Sequence, residues 1–181
     1  MPALCLAASL TLAGCQDSLH DVVASGNLGR ARAILARDPN LVHGQNALGK
    51  TPLHYAVHYK QIEAMSLLVE YGAGLDTPDR TGMTPLHTAA LLGRQEEAAW
   101  LLAHGADAAS TDVFGDTPVH TAAIFGQGGV IEGLAAHGAN LTEPNHQGRT
   151  PLDLARENRH SRVAHHLERL IRASGPPPGT S

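Results

Sequence analysis

The chain has 181 residues, of which 43% are apolar and 17% are charged, and this balance excludes a chain too polar to bury a core. The formal net charge of −4 provides no positive field to attract a phosphate backbone, which makes nucleic acid a poor candidate for the ligand. The aromatic content of 3% is low for one large globular core. It favours thin, Ala- and Leu-rich packing between many small helices.

The N-terminal run from Pro2 to Gly14 has the properties of a targeting segment. It is uncharged and apolar, with the length of the apolar region of a signal peptide, and it is too short to span a bilayer. Both cysteines, Cys5 and Cys15, lie within the first fifteen residues, so no disulfide framework can link the folded body. We therefore expect residues 1–14 to be a signal peptide and residues 15–17 to be a short linker.

The sequence Leu12-Ala13-Gly14-Cys15 resembles the lipobox of bacterial lipoproteins, in which cleavage precedes a cysteine that is then lipidated. The resemblance implies a lipid anchor on Cys15 and a location on a periplasm-facing membrane or in the periplasm. However, no Lys or Arg precedes the apolar run. This leaves open a different role for residues 3–13, as an extra apolar helix that covers the N-terminal end of the fold.

Four copies of a Thr-Pro motif recur at 33-residue intervals, and each has a glycine two residues before it. The copies are Thr51-Pro52-Leu53-His54, Thr84-Pro85-Leu86-His87, Thr117-Pro118-Val119-His120 and Thr150-Pro151-Leu152-Asp153. A second element keeps the same period: Tyr71-Gly72-Ala73, His104-Gly105-Ala106 and His137-Gly138-Ala139. A fixed period of this length indicates stacked supersecondary units that bury one continuous core.

The 33-residue period, the Thr-Pro-Leu-His starts and the Gly-Ala ends resemble ankyrin repeats, over about residues 18–173. The resemblance implies an all-α repeat solenoid of about five helix-turn-helix units joined by hairpin fingers. The units are predicted at about 18–48, 49–81, 82–114, 115–147 and 148–174, the first and last acting as caps. Residues 175–181, which are rich in Pro and Gly, are expected to form a disordered tail.

Each unit is predicted to contain a helix A that begins at the Thr-Pro pair and a helix B that ends at the Gly-Ala pair. Proline at the first helical position loses no needed hydrogen bond, and the preceding threonine can cap the helix. The resemblance further implies that each motif histidine bonds the motif threonine and the backbone of the neighbouring finger. The residues given this structural role are Thr51, His54, Thr84, His87, Thr117, His120, Thr150 and, in place of a histidine, Asp153.

The fourth unit is predicted to be the weakest, because its helix B contains Gly128, Gly129 and Gly133. Each glycine costs roughly 1 kcal/mol relative to alanine inside a helix. From the sequence alone, Gly129→Ala is expected to raise the stability.

No pattern in the sequence indicates catalysis or a cofactor. The twelve histidines raise the question of a metal site, but the spacing of His160, His165 and His166 does not place them on one helix face. Ser18, His20 and Asp21 supply the residue types of a catalytic triad, but consecutive positions on one short helix are not expected to point at one another. We therefore expect no enzyme, no cofactor and no metal.

The binding surface is expected where the repeats differ from one another. The resemblance implies that partners contact the finger tips and the ends of the A helices, which line a concave groove. The candidates at the helix ends are His58, Tyr59, Leu91, Leu92, Ile124 and Phe125. The candidates at the fingers are Arg80, Val113, Phe114 and His146. Tyr59, Leu92 and Phe125 are expected to be the exposed members of their pairs and Phe114 the most exposed aromatic residue; Leu91 and Ile124 have the alternative of packing inward.

The predicted function is that of a non-enzymatic module, a membrane-tethered or periplasmic bacterial adaptor that binds a protein or peptide in its groove. The alternative is a soluble cytoplasmic protein or an exported effector of the same family. A metal-binding or enzymatic protein fits the sequence least well. We expect a monomer with a protein or peptide partner, no nucleic-acid partner, and membrane attachment through Cys15.

Overall fold

The computed structural model describes residues 18–174, which fold into paired helices. The helices are α1 Leu19–Ala24, α2 Leu28–Arg37, α3 Pro52–His58, α4 Ile62–Glu70, α5 Pro85–Leu92, α6 Gln95–Ala103, α7 Pro118–Ile124, α8 Gly128–Ala136, α9 Pro151–Glu157 and α10 Ser161–Ser174. A short 3₁₀ helix, Pro39–His43, follows α2. The predictions for residues 1–14, 15–17 and 175–181, including lipidation of Cys15, lie outside the described residues.

The helices form two layers. Helices α1, α3, α5, α7 and α9 pack side by side in chain order, and each odd-numbered helix packs against the even-numbered helix that follows it. The same repeat positions are buried in successive units, as shown by Leu53 and Leu86 on the A helices and Leu68 and Leu101 on the B helices, all 0% exposed. The predicted all-α repeat solenoid is therefore confirmed.

The sequence motif determines where the A helices begin. Thr84 has an extended backbone with ψ of 170°, Pro85 occupies the first turn, and the Thr84 side chain accepts a hydrogen bond from the His87 N–H group. The B helices end as the Gly-Ala pairs predict: α4 ends at Glu70, and Gly72, two residues later, has φ of +90°, a conformation that glycine adopts without strain. The two signals together give each unit its start and its end.

Helix α8 contains all three glycines that the sequence placed in it, but they differ in their surroundings. A Cβ atom on Gly129 would overlap the side-chain amide of Gln95, so this side chain would have to move, whereas a Cβ on Gly133 meets nothing within 4 Å beyond its chain neighbours and the nearby backbone of its own helix. Gly133 is therefore the clearer site for a stabilising substitution, because the change at Gly129 also requires the end of the Gln95 side chain to shift.

Gly133→Ala is expected to raise the free energy of unfolding by about 1 kcal/mol, because alanine loses less backbone entropy in a helix. Urea denaturation followed by circular dichroism measures the change. Gly138→Ala is the matched control: its added methyl group also meets nothing within 4 Å, but the backbone there has φ of +81°. The control should lower the stability by about 1–2 kcal/mol. Equal effects of the two substitutions would contradict this account.

Within residues 18–174, no helix is both long and apolar enough to cross a membrane.

Candidate protein-binding groove

Three buried histidines connect successive units. Each of His54, His87 and His120 is at most 1% exposed. In each unit, the Nδ1 atom of the ring accepts a hydrogen bond from the backbone N–H of the motif threonine, at 3.1–3.2 Å. The Nε2 atom donates to a carbonyl oxygen of the next finger: Met83, Asp116 and Arg149, respectively. These are the two bonds that the resemblance implies.

This geometry fixes the protonation state of the rings. A carbonyl oxygen only accepts and a backbone N–H only donates, so the ring is neutral with its proton on Nε2. Burial, the largest effect, lowers the pKa of His54, His87 and His120, while their hydrogen bonds to backbone carbonyls act in the opposite direction. The motif histidines are thus structural links in the neutral state.

The two terminal units modify the link. In the fifth, Asp153 accepts hydrogen bonds from the N–H and the hydroxyl of Thr150, which lower its pKa, but it makes no bond to a further finger among the described residues. In the first, the Nε2 atom of His20 donates to the carbonyl of Lys50 at 2.9 Å, so this degenerate unit keeps the link to its neighbour.

The expectation that Ser18 and Asp21 do not meet is wrong. The Ser18 hydroxyl lies 2.8 Å from a carboxylate oxygen of Asp21, because the two residues form a capping box at the start of α1. His20 points away from both, toward the carbonyl of Lys50. The bond between Ser18 and Asp21 therefore belongs to the helix cap.

The finger turns share a hydrogen-bonding arrangement that was not predicted from the sequence. These turns lie at residues 46–49, 79–82, 112–115 and 145–148. In each turn the first side chain accepts hydrogen bonds from the backbone N–H groups two and four residues later. These first residues are Asn46, Asp79, Asp112 and Asn145. Their 33-residue period, three positions before each glycine, is the signal that could have identified them.

Neighbouring fingers are bonded to one another near their tips. The N–H groups of Arg80, Val113 and His146 donate to carbonyl oxygens of the preceding finger at 3.1 Å. The approach is close, because a Cβ atom on Gly82 would lie 2.8 Å from Cα of Asp112. The tips are therefore held in a row along one edge of the stack.

Seven of the ten predicted groove residues are exposed and three are half-buried. The exposed residues are His58, Tyr59, Arg80, Val113, Phe114, Phe125 and His146. The half-buried residues are Leu91, Leu92 and Ile124. Phe114, at 56%, is the most exposed aromatic side chain of the described residues, ahead of Tyr59 and Phe125 at 48% each. The prediction that Leu92 is an exposed member of its pair is wrong, because it is half-buried like Leu91.

The groove residues come from equivalent positions on adjacent helices. Tyr59, Leu92 and Phe125 are 33 residues apart, at the ends of α3, α5 and α7, and these helices pack in order. Leu48 adds a side chain that is 62% exposed at the first finger. Several large apolar groups thus face water in line, which is the composition of a protein-binding patch.

The C-terminal histidines do not converge on one point. The Nε2 atom of His160 donates to the carbonyl of Ile124 at 2.9 Å, so it bonds the end of α7, the A helix of the preceding unit. His165 is exposed, and His166 lies beside the guanidinium of Arg169 at 3.0 Å. In the described part of the chain, residues 18–174, no three His, Cys, Asp or Glu side chains are placed to hold a metal ion together.

Comparison with known proteins agrees with the geometry. The family model described as ankyrin repeats (3 copies) matches residues 19–112 and residues 98–170. No curated protein matches the chain. The family model and the repeated helix pairs, linked through their motif histidines, lead to the same conclusion: the chain belongs to the ankyrin repeat family.

Proposed function

We propose that this chain is a non-catalytic adaptor that binds a protein or peptide in the groove formed by its finger tips and the ends of its A helices. Ankyrin repeats are typically protein–protein interaction modules and are usually not catalytic. The observation that carries the proposal is the row of exposed apolar side chains, Tyr59, Phe125, Val113 and Phe114, on a backbone held in place by bonds between fingers. Aromatic anchors on a rigid surface are typical of protein-binding sites.

A groove variant tests this proposal. Replacing Tyr59, Leu92, Phe114 and Phe125 together by alanine removes the apolar anchors while leaving the buried Leu positions unchanged. The variant and the wild type are immobilised and exposed to extract of the native organism, and retained proteins are identified by mass spectrometry. We expect the wild type to retain a specific partner and the variant to retain at least about tenfold less of it, since anchor residues often contribute about 1–2 kcal/mol or more each to binding.

A matched control uses apolar side chains outside the groove. Leu28 and Leu41, at the N-terminal end of the stack, are 37% and 42% exposed. The double substitution of Leu28 and Leu41 by alanine should retain the partner as the wild type does. Equal retention by the groove variant and the wild type would contradict the groove assignment, and circular dichroism of all three proteins establishes that each is folded.

The proposal extends to location: a lipid on Cys15 would tether the repeat stack to a periplasm-facing membrane. The support is the lipobox-like sequence Leu12-Ala13-Gly14-Cys15. The alternative is a soluble cytoplasmic or exported protein of the same family. Labelling with a palmitate analogue and sensitivity of processing to globomycin distinguish the two, with Cys15→Ser as the control. Absence of label on the wild type would favour the soluble alternative.

A further inference from the structure

A small pocket lies at the N-terminal end of the groove, between the first finger and α3. It has a volume of about 120 Å³ and is lined by Leu48, Lys50, His54, Tyr55, His58 and Tyr59. Two of its walls are aromatic: the rings of Tyr55 and Tyr59 have centroids 6.1 Å apart, and those of His58 and Tyr59 are 4.7 Å apart. Tyr59 thus contacts two other rings at the rim.

The charged groups that act on His58, at one side of this pocket, are positive. Lys50 is half-buried and forms no ion pair with the residues that the structure describes. The Arg94 guanidinium donates to the carbonyl oxygen of His58 at 3.0 Å, and its Nε atom is buried without a hydrogen-bond partner. Burial, followed by the charges of Lys50 and Arg94, lowers the pKa of His58.

No carboxylate among the residues lining the pocket offsets these charges. The nearby Asp79 carboxylate, on the next finger, is not a lining residue: its charge acts on His54, and its Oδ1 atom accepts hydrogen bonds from the N–H groups of Thr81 and Met83 and from the Thr81 hydroxyl. The positive surroundings are therefore those of His58, where Lys50 and Arg94 are the charges that act, in a chain whose formal net charge is −4. An anionic group would complement this charge, and the aromatic walls would exclude water around it.

The spacing of the repeats adds a second constraint. Packed helices lie about 8–10 Å apart, and an extended chain rises about 3.3 Å per residue, so about three residues of an extended segment span one repeat. Tyr59, Leu92 and Phe125 occupy equivalent positions on successive A helices. A segment lying along the groove would therefore meet a new apolar contact at every third residue.

We propose that the pocket at Lys50 and His58 receives the carboxylate of an Asp or Glu side chain from an extended partner segment. Apolar side chains about three and six residues away then contact Leu92 and Phe125. This inference rests on the proposed function and specifies the partner chemistry: an acidic residue at one end of a short apolar pattern. The carboxylate provides the orientation of the segment, and the apolar side chains provide the contact area.

Selection from a library of random peptides tests the inference with the full chain as bait. We expect enriched peptides to share an acidic residue with apolar residues about three and six positions away. In a synthetic peptide of the enriched sequence, replacing the Asp or Glu by Asn or Gln should raise the Kd at least about fivefold, the effect of losing a partly buried charge-assisted hydrogen bond. Fluorescence polarisation measures the Kd.

Charge reversal in the protein provides the decisive comparison. Lys50→Glu should raise the Kd of the acidic peptide at least about tenfold. A new selection with this variant should favour peptides with Lys or Arg at the position of the acidic residue. Lys50→Gln, which removes the charge without reversing it, should give an intermediate Kd. Arg37→Glu makes the same change of charge on α2, outside the groove, and should leave the Kd within about twofold.

The outcomes separate the inference from the proposed function. Enriched peptides that need Tyr59 and Phe125 but have no acidic residue would overturn the pocket assignment and leave the groove in place. An equal loss with Lys50→Glu and Arg37→Glu would also overturn it, because the effect would then be one of net charge. Failure to enrich any peptide dependent on Tyr59 and Phe125 would count against both.

Discussion

His87→Ala is expected to lower the free energy of unfolding by about 3 kcal/mol. The ring is 0% exposed and bonds both Thr84 in its own unit and Asp116 in the next. Its removal leaves a cavity, and it leaves a buried N–H group and a carbonyl oxygen without their partner. Unsatisfied buried polar groups cost about 1–3 kcal/mol each, and a cavity adds to this cost. The result would be one of the largest single-residue losses in the stack.

Urea denaturation of the wild type and the variant measures the loss. His137→Ala is the matched control, because His137 is exposed and its ring nitrogen bonds the carbonyl of Gly133, four residues earlier in its own helix. The control should lose far less stability, since no link between units is broken. Similar losses from the two substitutions would mean that the stack does not depend on the link through His87.

The fold could be predicted from the sequence because its determinants are local and repeated. Thr84 and Pro85 specify a helix start through one side-chain cap and one fixed backbone angle, and Gly105 specifies a helix end through its φ of +92°. Each signal recurs every 33 residues, so an ambiguous copy is read from its neighbours.

The candidate groove was predicted less completely, because exposure depends on packing between units. Tyr59 and Phe125 are exposed at 48%, as their positions indicate. Leu92 occupies the equivalent position but is the last residue of its helix, and its shorter side chain lies half-buried. The pocket at Lys50 was missed although its six lining residues all lie within residues 48–59, because the sequence does not show how the first finger packs against α3.

The effects of substitutions in α8 could not be predicted from the sequence either. Helix propensity treats Gly129 and Gly133 alike, since both lie inside α8. Only the packed structure places the Gln95 side chain of the preceding unit over Gly129 and leaves Gly133 open. The difference between the two glycines is thus a property of the interface between repeats.

Acidification is expected to destabilise the stack in a window that begins near neutral pH. The pKa values of His54, His87 and His120 lie below their usual 6.5 in the folded chain, chiefly because of burial. Above pH 6.5 these rings are neutral in both states, and their stabilisation is complete. Below it the unfolded chain binds protons first, so the free energy of unfolding falls until the pH passes the folded pKa values. Each histidine contributes about 1.4 kcal/mol to this fall in the free energy of unfolding for every pH unit by which its folded pKa lies below the unfolded one.

Urea denaturation at about pH 7.5, 6.5, 5.5 and 5 measures this loss, in the range where unfolded histidines titrate. A variant with His104→Gln and His137→Gln, whose rings are exposed, should keep the same slope with pH. A constant or rising stability on acidification would contradict the expectation, and loss of the slope in this variant would assign it to the exposed histidines instead.

The fifth unit places a second acid-sensitive group in a lower window. The pKa of Asp153 is lowered by its hydrogen bonds with Thr150, so its contribution is present above its usual 3.8 and is lost only as the pH falls below that value. Between about pH 6.5 and 4 the cap of α9 therefore keeps its bonds while the links through the three histidines weaken. Because repeats are stabilised mainly by their neighbours, acid should act first on the junctions between units. Amide hydrogen exchange at decreasing pH measures this: protection should be lost from α3 to α8 before it is lost from α9.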